Sequence, residues 1–238
     1  MTIIIGAITK KFGIVGSDSR IFEPAELKEG KVIKEAVPKK GDFDKTFIAK
    51  GGKLIGAVAG LMEISKKDIK DHIVDLINEV DIKTTNLDLL IEQIAAKLKD
   101  KLEKIDEKEV IFTERILHVI VIGSTNYDER DFSIFTLSFF PSGTTKEIQS
   151  KIDKGSSKSL SDYQIYKSIR GEDEAVEASK NRIDFLMKKK QVLPYGLVKN
   201  FVESALNLGI NKSGNHKYGR EKSCGGNINI KKVSKFYS

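Results

Sequence analysis

The 238 residues carry 41 lysines and arginines against 34 aspartates and glutamates, a formal charge of +7, and 39% are hydrophobic. That suffices for one substantial core or two small ones, and regular apolar periodicity at 32% charged content excludes a disordered or fibrous chain. The longest apolar run, Leu54 to Met62, falls far short of the roughly 20 residues of a membrane-spanning helix, and no signal-like stretch opens the chain, so a cytoplasmic protein without a membrane partner is expected.

Thr2 to Thr9 is β-branched and apolar, Lys10 to Gly13 is a turn, and Ile14 to Arg20 runs back, which predicts a hairpin. Residues 21 to 44, with Pro24, Pro38 and many charges, read as an excursion from the sheet. A second hairpin follows, Lys45 to Ala49 and Leu54 to Gly60 around Gly51-Gly52. The period then changes to 3.6: Ile69, Ile73, Leu76, Ile77 and Val80 share one helix face, and Leu87, Leu90, Ile91, Ile94, Leu98, Leu102 and Ile105 another, with Thr85 and Asp88 suited to its cap. Strands are predicted at Leu117 to Ser124, Phe132 to Phe140 and Glu147 to Ile152. Helices are predicted through Leu160, Tyr163, Tyr166 and Ile169, and from Pro194 until Gly209 stops the pattern. Gly225 to Val233 reads as the last strand. The charged stretch 171–190 reads as an inserted helix, and no linker divides the chain. Two antiparallel strand sets, each followed by paired amphipathic helices, predict an α+β fold rather than a doubly wound sheet.

Conventional chemistry is weakly represented. His72, His118 and His216 lack the spacing of a zinc site or a histidine triad, and no glycine fingerprint precedes a helix, so neither metal nor cofactor is expected. Lysines are dispersed among acidic residues except at Lys188-Lys189-Lys190, without interleaved aromatics, which argues against a nucleic-acid partner. The single cysteine, Cys224, forbids an internal disulfide.

The first two residues are different. Loss of Met1 would leave Thr2 with a hydroxyl nucleophile a few bonds from a free α-amine, whose pKa of about 7.7 to 8.0 suits it to take the hydroxyl proton near neutral pH. Any chain can begin Met-Thr, so context decides. Thr2-Ile3-Ile4-Ile5-Gly6, with Ser17-Asp18-Ser19-Arg20 following, resembles the opening of proteasome β-subunits, and Thr2 and Asp18 are 16 positions apart. Lys45 at a strand head, Gly56-Ala57-Val58-Ala59-Gly60 on its partner, Gly155-Ser156-Ser157, and Arg220-Glu221-Lys222-Ser223-Cys224-Gly225-Gly226 resemble further elements of that family in the same order.

The resemblance implies an N-terminal-nucleophile (Ntn) hydrolase: a four-layer α-β-β-α sandwich of two antiparallel sheets in one domain, 1–238, with insertions near 21–44 and 171–190. Thr2 would supply nucleophile and base, with Lys45 lowering the pKa of the Thr2 system and Asp18 holding that lysine. Ala57 would give the oxyanion N–H, and Ser156, Glu221 and Cys224 would surround the α-amine. Ala57, Glu221 and Cys224 depart from the family's usual glycine, aspartate and serine. An ordinary ion pair for Asp18 and Lys45, and a small buried hydrophobe for Cys224, are the structural alternatives. Three functions follow from the resemblance: a threonine peptidase acting on polypeptide; a transpeptidase like the connectases, in which an amine intercepts the acyl-enzyme; and a noncatalytic ring or scaffold subunit. A homo-oligomer or ring and an ATPase partner belong to the same expectation.

Overall fold

The computed structural model describes residues 2–23, 25–28, 31–39, 41–64, 66–80, 86–105, 117–124, 131–142, 147–188, 192–215 and 220–234. Its first hairpin is β1 (Ile3–Ile8) and β2 (Phe12–Asp18), paired Ile4↔Ser17 through Ile8↔Gly13. The excursion holds two short ribbons, β3 (Phe22–Glu23) with β6 (Val37–Pro38) and β4 (Glu26–Lys28) with β5 (Lys31–Lys34). Strands β7 (Thr46–Ala49) and β8 (Leu54–Gly60) form the second hairpin, turned by Gly51 and Gly52 at φ 62° and 89°, a region where an L side chain is strained. A small ribbon, β9 (Glu63–Ile64) and β10 (Lys67–Asp68), leads into α1 (Ile69–Glu79) and α2 (Leu87–Glu103). The cap of α2 is Asn86, whose side chain accepts the Leu89 N–H at 2.9 Å; Thr85 lies outside the described residues.

Strands β11 (Leu117–Ser124), β12 (Phe132–Pro141) and β13 (Ile148–Ser156) complete a five-stranded antiparallel sheet ordered β13-β12-β11-β8-β7. The chain then departs from expectation. Instead of a helix through Leu160 to Ile169, turns lead to strand β14 (Tyr166–Gly171), which pairs with β1. The apolar residues of this stretch fall at helical spacing by coincidence; Tyr166 is exposed and Ile169 packs inward from an edge strand, where one face suffices.

Helix α3 (Asp173–Leu186) is the stretch expected as an insertion, yet Ala175, Ser179 and Ile183 pack in the core and the Ser179 hydroxyl donates to the Ala205 carbonyl at 2.8 Å. It takes the place expected for the 160–169 helix, beside α4 (Tyr195–Lys212). Gly209 does not stop α4: a Cβ there would crowd Ser179, so this glycine allows the two helices to approach. The last strand, β15 (Ile228–Ser234), closes a four-stranded antiparallel sheet ordered β14-β1-β2-β15.

Alternation along the strands partitions the core. Ile3, Ile5 and Ala7 pack with Ala175, Ile183, Val202 and Leu206 of α3 and α4; Val119, Val121 and Leu137 pack with residues of α1 and α2. Ile4, Ile8 and Val15 meet Ile55, Ala57, Ile120 and Ile134 from the other sheet. Both faces of β1 are covered, which is why it reads as one continuous apolar run. Among the described residues no helix is long and apolar enough to cross a membrane.

Candidate active site

Three strand ends meet at one point. The β1–β2 register sets Ile3 across from Asp18, and the Ile3 N–H donates to Asp18 Oδ1 at 3.0 Å, so the residue before β1 stands beside that carboxylate. Its other oxygen, Oδ2, accepts the Gly225 N–H at 3.0 Å. From the second sheet, Lys45 enters just before β7, its carbonyl accepting the Val58 N–H at 3.0 Å. Its Nζ lies 3.0 Å from Asp18 Oδ1 and also donates to the Thr2 hydroxyl and the Arg20 carbonyl, while the Thr2 hydroxyl donates to Asp18 Oδ1. Asp18 and Lys45 are fully buried and Thr2 is 2% exposed.

Burial pushes the Lys45 ammonium pKa down, and the adjacent Asp18 carboxylate opposes that shift. A buried amine that is easier to deprotonate and is hydrogen-bonded to a hydroxyl can exchange a proton with it. Cys224 is 1% exposed, and burial, followed by the Asp18 charge, pushes its thiol up to about 12; it is a neutral thiol packed behind the pair rather than a nucleophile.

The other expected site residues are placed differently. Ala57 sits mid-strand opposite Thr46 and Ile120, and because the Val58 N–H faces β7, the Ala57 N–H faces β11 within the ladder and is not an available oxyanion donor. By the same alternation the Gly60 N–H faces the β7 side one pair beyond Lys45, before β7 begins, with Gly60 at φ 94°. Ser156 ends β13, the far edge of the five-stranded sheet, about 19 Å from the Lys45 strand at the usual inter-strand spacing; its hydroxyl accepts the Lys158 N–H at 3.2 Å. Glu221 is exposed and, among the described residues, bonds to none of Thr2, Asp18 or Lys45.

The segment that borders Thr2 is the end of β14. Gly171, at φ 137°, packs so closely that a Cβ would overlap the Thr2 carbonyl oxygen, and the Glu172 N–H donates to that oxygen at 3.2 Å. A strand-ending glycine followed by Glu172-Asp173-Glu174-Ala175, an acidic helix start, was the available signal. The start of the excursion is tied down nearby: the Ser19 hydroxyl donates to Asp42 at 2.9 Å and accepts the Asn227 N–H at 2.7 Å.

The histidines stand apart. His72 contacts the Ile64 carbonyl, His118 on β11 contacts the Ser138 hydroxyl at 2.9 Å, and His216 lies outside the described residues. No cluster of three metal-ligating side chains occurs among the described residues.

No protein-family model and no curated protein matches the chain. Solved structures do. A Gly-1 mutant of Anbu from Hyphomicrobium sp. strain MC1 aligns at 12% identity and TM-score 0.53 over 97% of this chain and 80% of that one. Anbu from Yersinia bercovieri, described as an ancestral beta-subunit, aligns at 13% and 0.51 over 98% and 82%. The helical assembly of the Anbu complex from Pseudomonas aeruginosa aligns at 12% and 0.58 over 98% and 81%. The fold is shared with Anbu. At this identity the likeness concerns the fold, so the chemistry has to be argued from the side chains.

Proposed function

We propose that this chain is a proteasome-like N-terminal threonine peptidase, a single 1–238 domain with the four-layer α-β-β-α sandwich of an Ntn hydrolase. Three core clusters, one between the sheets and one beneath each helix pair, support the layering. The observation that carries the activity is the Thr2 hydroxyl held by both Asp18 and the buried Lys45. Loss of Met1 exposes the α-amine as base. The hydroxyl oxygen attacks a peptide carbonyl as its proton passes to the amine; the oxyanion is met by the Gly60 N–H in place of Ala57; the leaving amine takes the proton and departs. Water attacking the resulting ester releases the acyl product and regenerates Thr2.

Interception by an incoming amine instead of water would make the same intermediate a ligase, and the helical assembly of the Anbu relative supports a homo-oligomer in either case. Intact mass tests the premise: the purified protein lacks Met1 and, briefly exposed to a peptide ester, gains the acyl mass on its N-terminal fragment. A retained Met1 with no acyl adduct would leave the scaffold reading in its place.

A further inference from the structure

We propose that Glu172 is the positioning residue for the α-amino group of Thr2, a place the family resemblance gives to Ser156, Glu221 and Cys224. The inference rests on the reading of Thr2 as the processed N-terminus.

Register carries it first. Ile3 pairs with Gly171, and the Glu172 N–H donates to the Thr2 carbonyl, which makes Glu172 the residue opposite Thr2. Opposed residues of an antiparallel pair have Cα atoms about 4.5 to 5.5 Å apart, within reach of a glutamate side chain. Gly171, which no other residue could replace against the Thr2 carbonyl, holds the two strands at this separation.

The state of the carboxylate carries it second. Glu172 is 9% exposed, and its hydrogen-bond partners among the described residues are backbone groups: the Ala175 N–H at 2.8 Å and the Gly214 N–H at 3.4 Å, one on each oxygen. Among the described residues it makes no ion pair. A carboxylate accepts about four hydrogen bonds, so each oxygen retains capacity, and a buried acid held by neutral donors gains most from a cation. The ammonium of a processed Thr2 is such a cation, already tethered to the facing strand.

The consequence concerns pH. Asp18 and Lys45, of opposite charge, also face Thr2 from β2 and the head of β7; beside them the facing Glu172 carboxylate favours the protonated amine and raises its pKa, so the base becomes available only at higher pH than a serine in this place would allow. Chain carrying Thr2 at its terminus, released from a cleavable fusion, is trace-acetylated across a pH series and the α-amine's labelling is read by mass spectrometry, a measurement that needs no turnover. Glu172→Gln, which keeps an oxygen acceptor, and Glu172→Ser, which keeps a helix cap, are each expected to lower the α-amine midpoint by about one pH unit; Glu174→Gln is expected to leave it within a few tenths. Where turnover is measurable, the acid limb of its pH profile shifts down by the same amount. Unchanged α-amine titration in either folded Glu172 variant overturns the inference. A shifted midpoint in a protein that shows no turnover upholds Glu172 while removing the peptidase reading.

Discussion

Two basic side chains lose water between the sheets, Lys45 completely and His118 in part, and they respond to it differently. At the strand ends, Lys45 faces Asp18 at 3.0 Å, with Ile3 and Gly225 N–H groups fixing the carboxylate. On β11, His118 has a neutral Ser138 hydroxyl as its partner, and of the charges that act on it the Arg170 guanidinium, itself paired with Asp153 at 3.0 Å, outweighs the opposing Asp173 carboxylate. Burial lowers the pKa of both bases. The carboxylate counters it for Lys45, whereas Arg170 adds to it for His118, which falls to about 4 and is neutral at physiological pH. Burial alone therefore does not make a site; the charge placed beside the buried group determines whether it stays poised for chemistry.

The contrast breaks most severely at Asp18. Asp18→Ala leaves Lys45 buried without its counter-ion and is expected to destabilise by about 3 to 5 kcal/mol in urea unfolding, and Asp18→Ala combined with Lys45→Met is expected to recover much of that loss, because the stranded charge is gone. Additive losses in the double variant would mean that the pair is not coupled.

The His118 side predicts a pH effect. Unfolded, its imidazole binds a proton near pH 6.5; folded, not until about 4. The unfolded state therefore binds more protons between those values, so stability is fully present above 6.5 and falls by about 3 kcal/mol as pH drops through the window. His118→Gln is expected to flatten that slope in urea titrations, while an unchanged slope would assign it to other groups.

The smallest effects belong to the residues that lie away from the pair. Ser156→Ala and Glu221→Gln are expected to alter stability by less than about 0.5 kcal/mol and turnover by less than about twofold. A tenfold loss in either would return that residue to the site.

Much of this organisation is legible in residue patterns, and the exceptions are instructive. β1, β2, β8, β11 and β12 read clearly because two covered faces require unbroken apolar runs, and α1, α2 and α4 because one covered face imposes the 3.6 period. β14 does not, since an edge strand buries little and its Tyr166 and Ile169, with Leu160 and Tyr163 of the preceding turns, happen to be spaced like a helix. Asp18 and Lys45 lie 27 positions apart across an irregular excursion, and no local pattern brings them together; only the resemblance to a known family connects them in the sequence. Ser156 shows the hazard of that route, because a Gly-Ser-Ser matched in composition occurs on the wrong edge of the wrong sheet. Ala57 shows a finer limit: whether a strand N–H is free depends on ladder register, which alternates residue by residue and is set by the partner strands.

The central claim is that the Thr2 hydroxyl is the nucleophile. It is tested by comparing wild type with Thr2→Ala on a peptide mixture with and without added amine, separating hydrolysis from ligation by product mass. The account predicts that Thr2→Ala remains folded, because Ile3, Ile4 and Ile5 anchor the strand, and loses both products by about 10³-fold or more; Thr2→Ser retains reduced activity, since a hydroxyl without the β-branch is less restrained. Equal activity of wild type and Thr2→Ala in both channels would contradict it.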